Sequence, residues 1–269
     1  MGVNGEKHGE MRMSGEVIDC GDGFWSIRGD FKIGGLVNVG TQCALVRRPD
    51  GSFVFLDSYT LPDRAMQDVE RITGGRQNVS AIINLHPFHT LHCEWMHEAF
   101  PSATLYGTQR HHTKWPALPW ATEHCESGAI GSLFEDTFAF SLPQGVALVC
   151  EDEAVHFSSV LAWHKASRTI HVDDTLSYLS APFPLSLLPM TRRLDFHITL
   201  AKALEPRRGA ADEFRDWAIE LGTDWADAMR IATAHNTLLT IEQGSFPELV
   251  GAALGRVAPV LDAHRSKYG

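Results

Sequence analysis

The chain has 269 residues, a formal charge of −10, and 44% hydrophobic and 21% charged residues, the make-up of a globular protein long enough to bury a substantial core. That acidic balance excludes a nucleic-acid backbone as principal partner, because such binders carry a basic face, and Arg192-Arg193 and Arg207-Arg208 are too short to supply one. No stretch reaches the ~18 apolar residues of a membrane span, and residues 1–16 lack the apolar centre of a signal peptide. The five cysteines are scattered, with no Cys-x-x-Cys pair, so a reduced, cytoplasmic setting is expected.

Residues 1–14 read as a flexible tail ahead of a single domain over 15–269. Strand-like patterns begin near Val17 and pass through Phe24–Ile27 and Leu36–Val39. Cys43–Val46 and Phe53–Asp57 flank Pro49-Asp50-Gly51-Ser52, whose Asp-Gly supplies hairpin turn chemistry. Pro62 opens a helix expected over residues 62–73, closed by Gly74-Gly75. The apolar run Val79–Leu85 then reads as a buried strand.

A short helix is expected over Glu94–Phe100 and a strand over Ala103–Tyr106. Residues 108–142, with His111, His112, Trp115, Pro116, Pro119 and Trp120, read as a long irregular excursion. Strands are expected at Val146–Val149, Val155–Trp163 and Thr169–Val172. From 211 the period turns helical, with Phe214, Trp217, Ala218, Leu221, Trp225 and Ala228 on one stripe that packs into the core. A last short strand, Arg230–Thr233, runs into Ala234-His235. Neither a Gly-x-Gly-x-x-Gly fingerprint, a phosphate-binding P-loop nor a Gly-x-Ser-x-Gly elbow occurs.

The chemistry concentrates where strands end. His86-Pro87-Phe88-His89-Thr90-Leu91-His92 places three imidazoles directly after the apolar run, and imidazole is the commonest ligand for borderline transition metals. His156, Asp174 in His171-Val172-Asp173-Asp174-Thr175-Leu176, and His235 follow. Each is ordinary alone; their order makes a candidate metal site.

In that order the residues resemble the metallo-β-lactamase superfamily, whose pattern is His-x-His-x-Asp-His after a strand, then His, Gly-Asp and a final His. Phe55-Leu56-Asp57-Ser58 resembles the family's early strand ending in Asp, and the likeness spans roughly residues 20 to 240. It implies an α+β fold, a four-layer αββα sandwich of two mixed sheets with outer helices. It also implies a first metal site from His86, His89 and His156, and a second from His92, His235 and a bridging, catalytic Asp174. The cofactor implied is Zn²⁺, one or two ions, with Fe²⁺ as the other candidate.

This chain departs from the pattern in three places. Two residues, not one, separate His86 from His89; Leu91 stands where the family has its acid; and Asp173 replaces the usual glycine. Glu94 and Asp173 are the nearby carboxylates that could substitute. Cys93 offers a soft ligand or, more simply, a buried thiol. His111, His112 and Trp115 are expected to contact substrate from the excursion, where specificity would lie. The leading expectation is a hydrolase of a small molecule using a metal-activated water. The alternatives are a mononuclear iron or zinc protein with oxygenase or redox activity, and a non-catalytic ligand-binding protein of the same fold. Oligomeric state is not legible.

Overall fold

Period-two alternation explains the layers. In the strand Thr41–Arg47, Cys43 and Leu45 join one apolar cluster while Ala44 and Val46 join another, as successive strand side chains point to opposite faces. The computed structural model describes residues 15–29, 32–33, 37–38, 40–180, 192–234 and 238–269. The expected tail, part of the Leu36–Val39 strand and His235 lie outside the described residues.

In chain order the first strands are β1 (Glu16–Asp19), β2 (Phe24–Gly29), the short ribbon β3 (Lys32–Ile33) with β4 (Val37–Asn38), β5 (Thr41–Arg47) and β6 (Phe53–Leu56). Helix α1 (Asp63–Thr73), β7 (Val79–Ile83), α2 (Cys93–Ala99), β8 (Thr104–Gly107), α3 (Gln109–Lys114) and β9 (Trp120–His124) follow. Then come α4 (Gly128–Leu133), β10 (Phe138–Ser141), β11 (Leu161–His164), β12 (Thr169–Val172), β13 (Leu176–Ser180) and β14 (Arg192–Phe196). The chain closes with α5 (Leu200–Ala203), α6 (Ala210–Asp224), β15 (Arg230–Thr233), β16 (Leu238–Thr240) and α7 (Phe246–Tyr268).

One mixed sheet has the order β1-β2-β5-β6-β7-β8-β9 and the other β10-β11-β12-β15-β16. Ala44, Val46, Val54, Leu56, Ala81 and Ile83 of the first sheet pack against Phe138, Val160 and Ala162 on the side of the second, forming the central layer. On the outer face of the first sheet, Leu45, Phe55 and Ile82 meet Ala65, Met66 and Val69 of α1 and Met96 of α2. On the outer face of the second, Trp163, Ile170 and Ile231 meet Phe214, Trp217 and Leu221 of α6 and Val250 of α7. The result is helix, sheet, sheet, helix, the expected αββα sandwich. Each fully buried Leu, Ile or Phe contributes about 1.5–3 kcal/mol to holding these layers together.

The hairpin and the first helix form where the residues predict. β5 and β6 pair antiparallel, with Leu45 opposite Phe55. Pro62 stands just before α1, and Gly74 ends it at φ 72°, the left-handed conformation that glycine adopts without a Cβ clash.

Two expectations need correction. The stretch 108–142 is not an irregular excursion: it carries α3, β9, α4 and β10, and β9 pairs parallel with β8 to complete the first sheet. Its strand has no apolar alternation because it is an edge strand with no fully buried residue. Nor do Val146–Val149 and Val155–Val160 form strands. Val146 makes a single bridge to Leu204, and the second stretch becomes regular only at Leu161. Its apolar residues Val155, Phe157 and Val160 are buried all the same, fixed by side-chain bonds from Thr175 rather than by a ladder: Thr175 Oγ1 donates to the Phe157 carbonyl (3.0 Å) and accepts from Ser159 N–H (3.1 Å).

Candidate metal centre at the strand ends

β6, β7 and β8 run parallel, as do β12 and β15, so within each sheet these carboxyl ends share one edge. A polar clamp joins the two edges. Arg28 donates to Gln42 Oε1 (2.8 Å) and to the Thr233 carbonyl (2.6 Å), while Gln42 Nε2 donates to the carbonyls of Val172 (3.1 Å) and Ala232 (3.2 Å). These bonds tie β2 and β5 to the ends of β12 and β15 and bring four strand ends to one place.

Asp57 turns the chain as β6 ends. Its φ is 60°, a left-handed conformation that aspartate tolerates better than most side chains at a cost of about 1–2 kcal/mol. Two charge-assisted bonds offset that cost: Leu85 N–H donates to Oδ1 (2.8 Å) and His171 Nε2 lies 2.7 Å from Oδ2. Burial alone would raise the carboxyl; His171 and, further off, His89 overcome it and bring Asp57 down to about 2. The first bond anchors the backbone entering the histidine loop. Val160 N–H to the Leu85 carbonyl (3.1 Å) and Trp115 Nε1 to the Thr90 carbonyl (2.9 Å) hold the loop from two more sides.

On this scaffold His86, His89 and Asp174 converge, their candidate ligand atoms all within 4.8 Å of one another. His86 Nε2 is 3.1 Å and His89 Nε2 3.9 Å from Asp174 Oδ2. The two rings stack with centroids 4.1 Å apart. His86 is fully buried, and its Nε2 makes no hydrogen bond of acceptable geometry; Phe88 N–H donates to its Nδ1 at 3.2 Å. His89 is 31% exposed, the open side of the group. An orphaned imidazole nitrogen beside a second imidazole and a carboxylate fits a divalent transition ion. Ligation at His86 Nε2 would move the ring proton to Nδ1 and cost only the weak Phe88 bond.

The other expected residues stand apart from this trio. The His156 ring lies 6.1 Å from His86, stacks on Phe88 (4.3 Å), and places Nε2 2.7 Å from the Glu153 carbonyl. His92, at the start of α2, places Nδ1 2.8 Å from Thr60 Oγ1 and packs edge-on to Tyr59; burial lowers its pKa. Leu91 is 70% exposed. His111 is buried, with Nδ1 at Thr108, and burial lowers its imidazole to about 4. Gly107 permits that packing, since a Cβ there would lie 2.7 Å from His111 Cβ. His112 packs on Trp120 (5.4 Å) and His124 (4.5 Å), and Trp115 braces the loop. Cys93 is buried, its thiol pushed up to about 12 by burial, so it stays protonated. All five cysteines are free thiols.

A second group was not expected as a unit, although Asp173 was named as a carboxylate that could substitute for the missing acid and Asp57 as the end of an early strand. Asp57, His171 and Asp173 bring their candidate ligand atoms within 4.8 Å of one another, all fully buried. Burial first, then the charges of Asp57 and Asp174, pushes the Asp173 carboxyl well above the usual range. One signal was present: His171 and Asp173 are two apart at a strand end, so they share a face.

No family model matches the chain, and no curated protein matches its sequence. Solved structures do match. A metallo-β-lactamase from Hirschia baltica aligns over 93% of this chain and 98% of its own, with TM-score 0.57 and 12% identity. FIM-1 from Pseudomonas aeruginosa in its mono-zinc form aligns over 91% and 97%, with TM-score 0.57 and 8% identity. DIM-1 metallo-β-lactamase aligns over 90% and 99%, with TM-score 0.56 and 13% identity. Likeness at this identity over nearly whole chains is likeness of fold, and the chain has the metallo-β-lactamase fold. Among the described residues no helix is long and apolar enough to cross a membrane.

Proposed function

We propose that the protein is a metal-dependent hydrolase of a small molecule, with a transition ion, zinc first, held by His86, His89 and Asp174. The observation that carries this reading is the convergence of those three side chains at the strand ends, in a fold shared with metallo-β-lactamases. A bound ion lowers the pKa of its water towards ~7 and polarises the bond to be cleaved. The chain's own residues supply the rest. Asp174 would help hold the ion and accept the proton of the attacking water. Asp57 and Trp115 keep the loop in register, and His89 faces the solvent side from which substrate enters. Trp115, half-buried and bonded to the loop at Thr90, is the member of the 108–142 stretch that would border that approach.

The test combines metal content with hydrolysis of chromogenic lactam, ester and phosphodiester substrates. The zinc-loaded protein should turn over one class, and His89→Ala should lose the ion. The accompanying fall in kcat/KM should exceed the roughly 10–100-fold that outer-shell changes at metal sites cost. Full activity in metal-free protein would sink the reading.

A second reading follows from the ligand types. Two histidines and one carboxylate with open positions are the set used by non-haem Fe(II) oxygenases, and Leu91, directed at solvent, adds no carboxylate. Oxygen consumption by anaerobically iron-loaded protein, absent with zinc, would favour this reading over hydrolysis.

A further inference from the structure

Among the described residues, Asp173 is the buried side chain left with two polar atoms unsatisfied. It is 2% exposed, and neither carboxylate oxygen receives a hydrogen bond. Gln42 and the Asp57 carboxyl lie against it, but Gln42 has no proton to give: both Nε2 hydrogens go to the Val172 and Ala232 carbonyls, and Oε1 accepts from Arg28. The nearest ring nitrogen, His89 Nδ1, is 3.7 Å away, beyond hydrogen-bond reach. In the same cluster His171 Nδ1 is also buried without a partner. A buried carboxylate left this way is strongly destabilising unless it is neutralised. Either a proton or a cation can do that.

We propose that Asp57, His171 and Asp173 form a second, buried divalent-cation site, contiguous with the His86–His89–Asp174 group and taking a Zn²⁺, Fe²⁺ or Mn²⁺ ion. The donor set is two carboxylates and an imidazole with no thiolate, which selects this class of ion over copper(I). Two buried carboxylates meet a doubly positive ion, which offsets the repulsion between their charges. Ligand atoms spread over at most 4.8 Å need only small side-chain rotations to reach the ~2.0–2.2 Å bonds of such a site. The site goes beyond the proposed hydrolase, since none of its three residues belongs to the loop group. Being sealed, it would hold its ion as a structural tie between β6 and β12.

The test is the number of zinc ions per chain after reloading untagged protein with zinc alone and removing the excess. Wild type should carry two, and the double variant His86→Ala/His89→Ala one. Asp173→Asn and His171→Asn, checked for folding by circular dichroism, should each carry one. A chelator that strips the double variant should lower its melting temperature. A wild type with one ion or none, a double variant with none, or a folded Asp173→Asn that keeps both would overturn the site. Should Asp173→Asn fail to fold, the double variant alone decides. The hydrolase reading fails separately, when the ion lost with His86 and His89 proves unnecessary for turnover.

Discussion

Two acid–imidazole groups sit side by side at one edge of the sandwich, built from the same two residue types and differing most in access. His86 and His89 stand on a loop, with His89 31% exposed; Asp57, His171 and Asp173 stand on strand ends, with none more than 2% exposed. An open group can exchange water and substrate. A sealed one serves the fold, because each buried charge there must be matched in place. Residue type therefore names the candidates, and solvent access decides which of them can do chemistry on a ligand.

The strongest way to break this comparison is Asp57→Ala. It removes the acceptor for Leu85 N–H and leaves His171 without its carboxylate, so a loss of about 3–5 kcal/mol is expected in denaturant unfolding. His89→Ala, at the open group, should cost under about 1 kcal/mol. Equal costs would erase the distinction between the two groups.

A buried imidazole whose ring bonds to a hydroxyl rather than a carboxylate sharpens the comparison as a control. His164 ends β11 with Nδ1 2.8 Å from Ser167 Oγ, and burial lowers it to about 4. Its folded pKa lies below the ordinary value of 6.5, so the unfolded chain binds the proton first as pH falls. Stability from this residue is full above about 6.5 and is lost as pH falls through 4. The loss reaches roughly 3 kcal/mol. Subtracting the unfolding curve of His164→Gln from wild type across pH 7 to 4 should isolate that slope, and parallel curves would refute it.

The smallest effect is expected at Leu91→Asp. With the side chain 70% exposed, stability should change by less than about 0.5 kcal/mol. Metal content should stay unchanged, because the new carboxylate points to water. A gained ion would show that the loop can turn this position inward.

Much of the fold was legible because its signals are local. The Asp50-Gly51 hairpin, the helix between Pro62 and Gly74, and the apolar stripe of α6 each announce themselves within a few residues. The edge strand β9 carried no such signal, having no fully buried side chain. Val155–Val160 carried a misleading one, since burial there is secured by Thr175 and not by strand pairing. Of the candidate site, His86, His89 and Asp174 were named from their order, and the structure brings them together. His92 and His156 find partners in Thr60 and Glu153 instead.

By itself the sequence determined which segments become strands and helices, and that imidazoles and carboxylates cluster where strands end, because hydrophobic period and turn chemistry act over short range. Only the tertiary structure decided which of those side chains meet. Asp57 and His171 are 114 residues apart in the chain and 2.7 Å apart in space. That pairing depends on the stacking of two sheets and the Arg28–Gln42 clamp between them, and no local pattern encodes it.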